Sequence, residues 1–156
     1  MLIFKALHIL TMFAAVTFLL GESTFLAVAV WRGDIRAVAA MSRFAGKRPI
    51  IGASIFLVGI AFGLLAVATG GLDFFAGWLV VAYVLVVILL GLSALPVIQK
   101  GLVGIYTMAV ESEGGQRPAE DVTREMARRR RGIALVVAAN WILFGLIILD
   151  MVLKPF

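Results

Sequence analysis

The sequence predicts an all-α fold: a four-helix transmembrane bundle with both termini on the extracytoplasmic side and a short amphipathic helix in the first cytoplasmic loop. Three observations predict it. Four nearly uncharged runs, Ile3–Trp31, Pro49–Thr69, Gly77–Pro96 and Ile133–Leu153, each reach the length of about 20 residues that crosses a hydrocarbon layer about 30 Å thick. The 156-residue chain is 63% hydrophobic and 15% charged, against about 45–50% and about 25% in a soluble domain. Twelve of its fourteen Lys and Arg fall in the connections 32–48 and 97–132, which a four-crossing chain places on one side.

The first run, 3–31, holds Ala27-Val28-Ala29, a passable cleavage site. It is much longer than the usual signal-peptide core of about 7–15 residues, and only Lys5 precedes it, so it reads as a retained span. Loop 32–48 carries Arg32, Arg36, Arg43, Lys47 and Arg48 against Asp34. Gly46 is placed to stop a short interfacial helix after Arg43, and Pro49 suits a first helical turn. Span 49–69 closes at Gly70-Gly71, before a short turn with Asp73. Span 77–96 kinks or ends at Pro96. In 97–132, Glu113–Pro118 is a flexible break, and Ala119–Arg131 is a polar helix running into span 133–153, with Glu125 and Arg129 in the favourable four-residue order. Retention of Lys and Arg in the cytoplasm sets the orientation. All 156 residues are expected to form one transmembrane domain.

The charge of +5 sits in loops between spans, which points to a lipid bilayer rather than to nucleic acid. Arg128, Arg129, Arg130 and Arg131 read as stop-transfer charge facing anionic lipid headgroups, with a specific lipid or protein site as the alternative. Trp31 and Trp78 fall at expected interfaces; Trp141 lies too deep for that belt. In span 49–69, Gly52, Gly59 and Gly63 share a face, and Gly59–Gly63 is a G-x-x-x-G for close helix packing, against another span or in a homodimer.

Ionisable groups inside a membrane are costly and therefore functional suspects. His8 and Glu22, fourteen residues apart, fall about 40° from alignment on one face, with Met12 and Ala15. Counted from Arg32 and from Arg131, Glu22 and Asn140 both lie about 14 Å from the cytoplasmic boundary. With Ser54 and Ser93 they are expected to form an inner polar cluster, in which a protonated Glu22 hydrogen-bonds Asn140 or handles protons or cations. His8, Asp73, Tyr83 and Asp150 are expected to form an outer cluster. His8 is an interfacial histidine satisfied by Asp150, a carbonyl or water, a proton-transfer group, or an axial ligand to haem b. As a haem ligand it would need Met12, Met151, a lysine or His8 of a second copy as the other ligand.

The absence of cysteine removes disulfides, iron–sulfur clusters, thiolate zinc and covalent c-type haem, and one histidine leaves little for an all-protein metal site, so none is expected. No Ser/His/Asp arrangement, phosphate loop or glycosidase-like carboxylate pair is present, and Lys154-Pro155-Phe156 is not a lipidation signal. Without a catalytic motif the reading leans away from an enzyme. It favours an accessory or structural subunit, or a homo-oligomer. A haem b redox protein using His8 and a proton-coupled small transporter centred on Glu22 are the alternatives.

Leu7-His8-Ile9-Leu10 and Leu149–Pro155 bracket further shared pieces: Thr69-Gly70, Trp78-Leu79 and Leu95-Pro96-Val97-Ile98-Gln99. On these the chain resembles, over essentially its whole length, the bacterial integral membrane proteins of domain-of-unknown-function family 2269. It departs at Asp150, where that family's pattern has an apolar residue. The resemblance implies architecture and no activity. Through Leu7-His8 the chain is more distantly similar to the copper resistance protein D and J-type protoporphyrinogen oxidase groups, which implies a metal- or haem-associated His8.

Overall fold

The structure, a computed structural model, describes residues 2–45 and 48–153; the side chains at 44, 45, 48–50, 93, 94 and 96–99 lie outside the described set, as does Gly46, the expected helix stop. The described residues are all-helical: α1 (Leu2–Arg32), α2 (Ile35–Ala45), α3 (Arg48–Gly70), α4 (Gly77–Ala94), α5 (Pro96–Glu113) and α6 (Ala119–Leu153). Three helices are long and apolar enough to cross a membrane: Leu2–Arg32, Ile51–Gly70 and Ala119–Leu153. The apolar part of α4, Gly77–Leu92, is shorter. At 1.5 Å per residue α1 is about 46 Å long and α6 about 52 Å, both longer than a hydrocarbon layer is thick.

Local chemistry sets the ends. α1 and α3 each stop at a glycine in the left-handed region, Gly33 (φ 68°) and Gly71 (φ 66°). The next amide then reaches back five residues, Asp34 N–H to Ala29 O at 2.9 Å and Leu72 N–H to Val67 O at 3.2 Å. Asp34 caps α2, accepting the Ala37 amide at 2.9 Å. Asp73 holds its own turn, accepting the Phe75 amide at 2.9 Å.

The third apolar run ends sooner than its sequence suggests. α4 stops at Ala94, Leu95 is extended (φ −56°, ψ 123°), and Pro96 opens α5 as its first residue. A proline excludes its predecessor from helical backbone, and its missing amide costs nothing at a helix start. The expected loop 97–132 therefore contains an 18-residue helix, α5. Ala119–Arg131 continues without a break into the apolar run as α6.

Two cores result. One lies among α1, α3, α4 and α6: Ala15, Leu20, Phe56, Leu89, Phe144 and Ile147, with Phe56 and Phe144 edge-to-face at 6.4 Å. The other forms a cap at the Arg32 end of α1: Leu26, Ala29 and Val30 of α1, Val38, Ala39 and Met41 of α2, Ile105 and Ala109 of α5, and Val122 and Met126 of α6. The amphipathic α2 thus buries its apolar face against protein. Arg43–Glu113 at 2.8 Å and Arg117–Glu111 at 2.7 Å tie the rim of this cap.

Candidate functional site

The most extensive helix pairing is α1 with α3, and glycine makes it close. A Cβ placed on Gly52 would lie 2.8 Å from Leu19 Cδ2; on Gly59, 2.7 Å from Met12 Sδ; on Gly63, 2.9 Å from His8 Nδ1 and Cε1. Numbers fall by seven and four along α1 as they rise by seven and four along α3, so three side chains of one helix enter three notches of its antiparallel neighbour. The glycine face is therefore filled within one chain, and an oligomer would have to use another.

His8 is the polar member of this series. Its Nδ1 lies 2.7 Å from the Gly59 carbonyl oxygen. A carbonyl only accepts, so Nδ1 carries the hydrogen and donates. Along an α-helix the same carbonyl receives the amide of Gly63. Because Gly63 has no side chain, the imidazole reaches that oxygen as a second donor. The ring presents its Nδ1–Cε1 edge to α3; the neutral ring then has its lone pair at Nε2.

The other outer-cluster residues do not join His8. Asp73 is exposed and occupied with its own turn, and Tyr83 is exposed beside the buried Leu79–Ala82–Leu89 face of α4. Asp150 is buried at 8% exposure with Oδ2 unpartnered and forms no ion pair with His8. Within the inner cluster, the expected hydrogen bond between Glu22 and Asn140 Oδ1 is not formed. Asn140 is buried, but its Oδ1 has no hydrogen-bond partner, so no protonated Glu22 donates to it. Glu22 is half-buried and has a partner of its own. Ser54 is exposed, two residues and about 200° around α3 from buried Gly52. The side chain of Ser93 lies outside the described residues.

Trp141 explains its unusual depth: its indole N–H donates to Thr24 Oγ1 of α1 at 2.9 Å. The sequence signal was only that a buried-depth tryptophan has one donor and needs an acceptor. Other hydroxyls satisfy themselves within their helices, Thr11 to Leu7 O at 2.7 Å and Thr69 to Leu65 O at 2.7 Å.

The arginine run divides. Arg128 (3.0 Å) and Arg129 both pair with Glu125. Arg129 also crosses the α5 backbone, where a Cβ on Gly101 would meet its Nη1. The Arg129 hydrogen bond holds the Glu125 carboxyl below its ordinary pKa, the two guanidinium charges reinforcing it and burial opposing it. Arg130 stacks on Trp31 of α1, its Cζ 5.0 Å from the ring centroid. Comparison with protein-family models, curated proteins and solved structures gives no match to this chain.

Proposed function

We propose that this chain is a small polytopic protein of the bacterial inner membrane that acts as an accessory or structural subunit, without chemistry of its own. In this reading α1, α3, α4 and α6 form a four-helix transmembrane bundle with both termini outside. The cap of α2, α5 and the start of α6 lies in the cytoplasm. The observation that supports it best is the division of the surface. Phe13 (73% exposed), Leu57 (61%), Val87 (68%) and Ile142 (63%) point outward from four different helices around one core. Such a belt is an aggregation surface in water and ordinary solvent contact in lipid. The exposed residues of the cap include Arg36, Arg124, Arg128, Glu120 and Asp121. The basic connections favour the cytoplasm, and the resemblance to family 2269 favours the same architecture.

The test is sidedness and company. Phosphatase reporters fused at Gly114-Gly115 are expected to be inactive and those at Asp73 active, and mild detergent is expected to extract a colourless protein within a larger assembly. Active reporters at Gly114-Gly115 overturn the orientation; a colourless protein running alone at all concentrations overturns the subunit role.

One observation favours a second reading, a haem b redox protein. His8 has its Nδ1 hydrogen committed to a backbone carbonyl, the arrangement that fixes an imidazole tautomer for ligation through Nε2. His8 supplies one axial position; Met12 is packed against Gly59, so the second ligand would come from Met151, a lysine or His8 of a second copy. A haem here would supply one-electron chemistry. A Soret band in the purified protein, lost in His8→Ala, would replace the first reading with this one.

A further inference from the structure

The four arginines at the start of the apolar part of α6 do not share one role. Arg128 and Arg129 spend their charge on Glu125. Arg130 and Arg131 pair with no carboxylate among the described residues, nor does Arg32 at the end of α1. Arg130 stacks on Trp31, which neighbours Arg32 and is 55% exposed. Three cations without a carboxylate partner thus lie at the end of α1 and the start of the apolar part of α6, where the Arg130–Trp31 contact joins the two helices. The indole face anchors the exposed Arg130 guanidinium, whose N–H donors suit a planar or tetrahedral oxyanion.

We propose that Trp31, Arg32, Arg130 and Arg131 form a binding site for the phosphate of an anionic phospholipid. Two features favour lipid over a soluble anion: the cations border the apolar belt on both helices, and the exposed indole suits the headgroup boundary. The acyl chains then run along the exposed faces of α1 and α6, past Val28 and Leu135. This inference rests on the membrane reading above.

The experiment uses the full chain in detergent, where sidedness plays no part, so failure here leaves the orientation untouched. Phosphatidylglycerol and phosphatidylcholine of the same acyl length are titrated, and bound lipid is counted by native mass spectrometry. Phosphatidylglycerol is expected to bind and phosphatidylcholine not. At about 1 kcal/mol per arginine facing anionic lipid, Arg130→Gln is expected to weaken binding about fivefold and Arg130→Gln with Arg131→Gln about 25-fold. Arg128→Gln, already paired, changes it less than about twofold. All three substituted positions are exposed, and circular dichroism checks that the variants are folded. Equal binding of the two lipids, or wild-type binding by Arg130→Gln, overturns the proposal. Displacement of the lipid by inorganic phosphate at millimolar concentration, or by an acidic peptide, overturns it in favour of that ligand.

Discussion

The two cores of this protein hold the same helices together by different physics. In the cap, Val38, Ala39, Ala109, Val122 and Met126 are sealed at no more than 1% exposure, and ion pairs ring them. Removing that apolar surface from water is itself the driving force. In the apolar-belted region the exterior is as greasy as the interior. Burial there gains little if the surrounding solvent is lipid, and close fit must carry the association. The close fit is visible where His8, Met12 and Leu19 enter the Gly63, Gly59 and Gly52 notches. One region is specified by what it hides, the other by shape.

Substitutions can break the comparison. The largest effect is expected from Met126→Ala, which removes a fully buried side chain from the cap. It should cost about 2–5 kcal/mol of cap stability. Hydrogen exchange should quicken in α2 and α5 while amides around Ala15 and Phe144 are unchanged; a uniform rise would mean the cores are one cooperative unit. Gly63→Ala comes next, at about 1–3 kcal/mol. Its new methyl meets a rigid imidazole, so the ring swings out and its bond to the Gly59 carbonyl is lost. Thermal unfolding in detergent gives the cost, and the nitrogen chemical shift of His8 reports the lost bond. In a His8→Ala background the same methyl should cost almost nothing; an undiminished cost would place the strain elsewhere.

The smallest effect sharpens the electrostatic side. Glu125→Gln should cost at most about 1 kcal/mol, because Arg128 and Arg129 are partly or largely solvated. The sign with pH is set by the lowered carboxyl pKa. A depressed pKa contributes stability that is present above the ordinary glutamate range and fades as pH falls through the lowered folded value. Cap melting curves of the two proteins should therefore differ at neutral pH and converge under acid; a gap that persists once Glu125 is protonated would assign the loss to packing.

Legibility in the sequence follows the same divide. Helix was readable, and span length for three of the four runs, because lipid-length runs and backbone satisfaction leave few options. The polar start of α6 and the Glu125–Arg129 pair were readable from spacing. Azimuth was not. When nearly every residue of α3 and α4 is apolar, nothing marks which side faces the core, so Ser54 and Tyr83 were grouped by depth with residues on another face. The glycine stripe was visible, and so was the face of His8 and Met12. Their matching spacings of seven and four were the unused clue that they face one another. α5 was missed because its apolar face is shared out between α2 and α6, leaving a weaker pattern than a span. Asp34 was counted as a charge when its position before Ile35 made it a cap.

α1 and α6 belong to both cores, whereas α4 and α5 are parted by Leu95 and Pro96. An unbroken helix has no joint. Any roll or tilt that the surroundings impose on Phe144 is delivered, undiminished, to Val122 and Met126 some 30 Å away along the same rod. Among the described residues, the links that can absorb such a movement are Gly33-Asp34 between α1 and α2 and the extended Leu95 between α4 and α5, so there these two halves would come out of step.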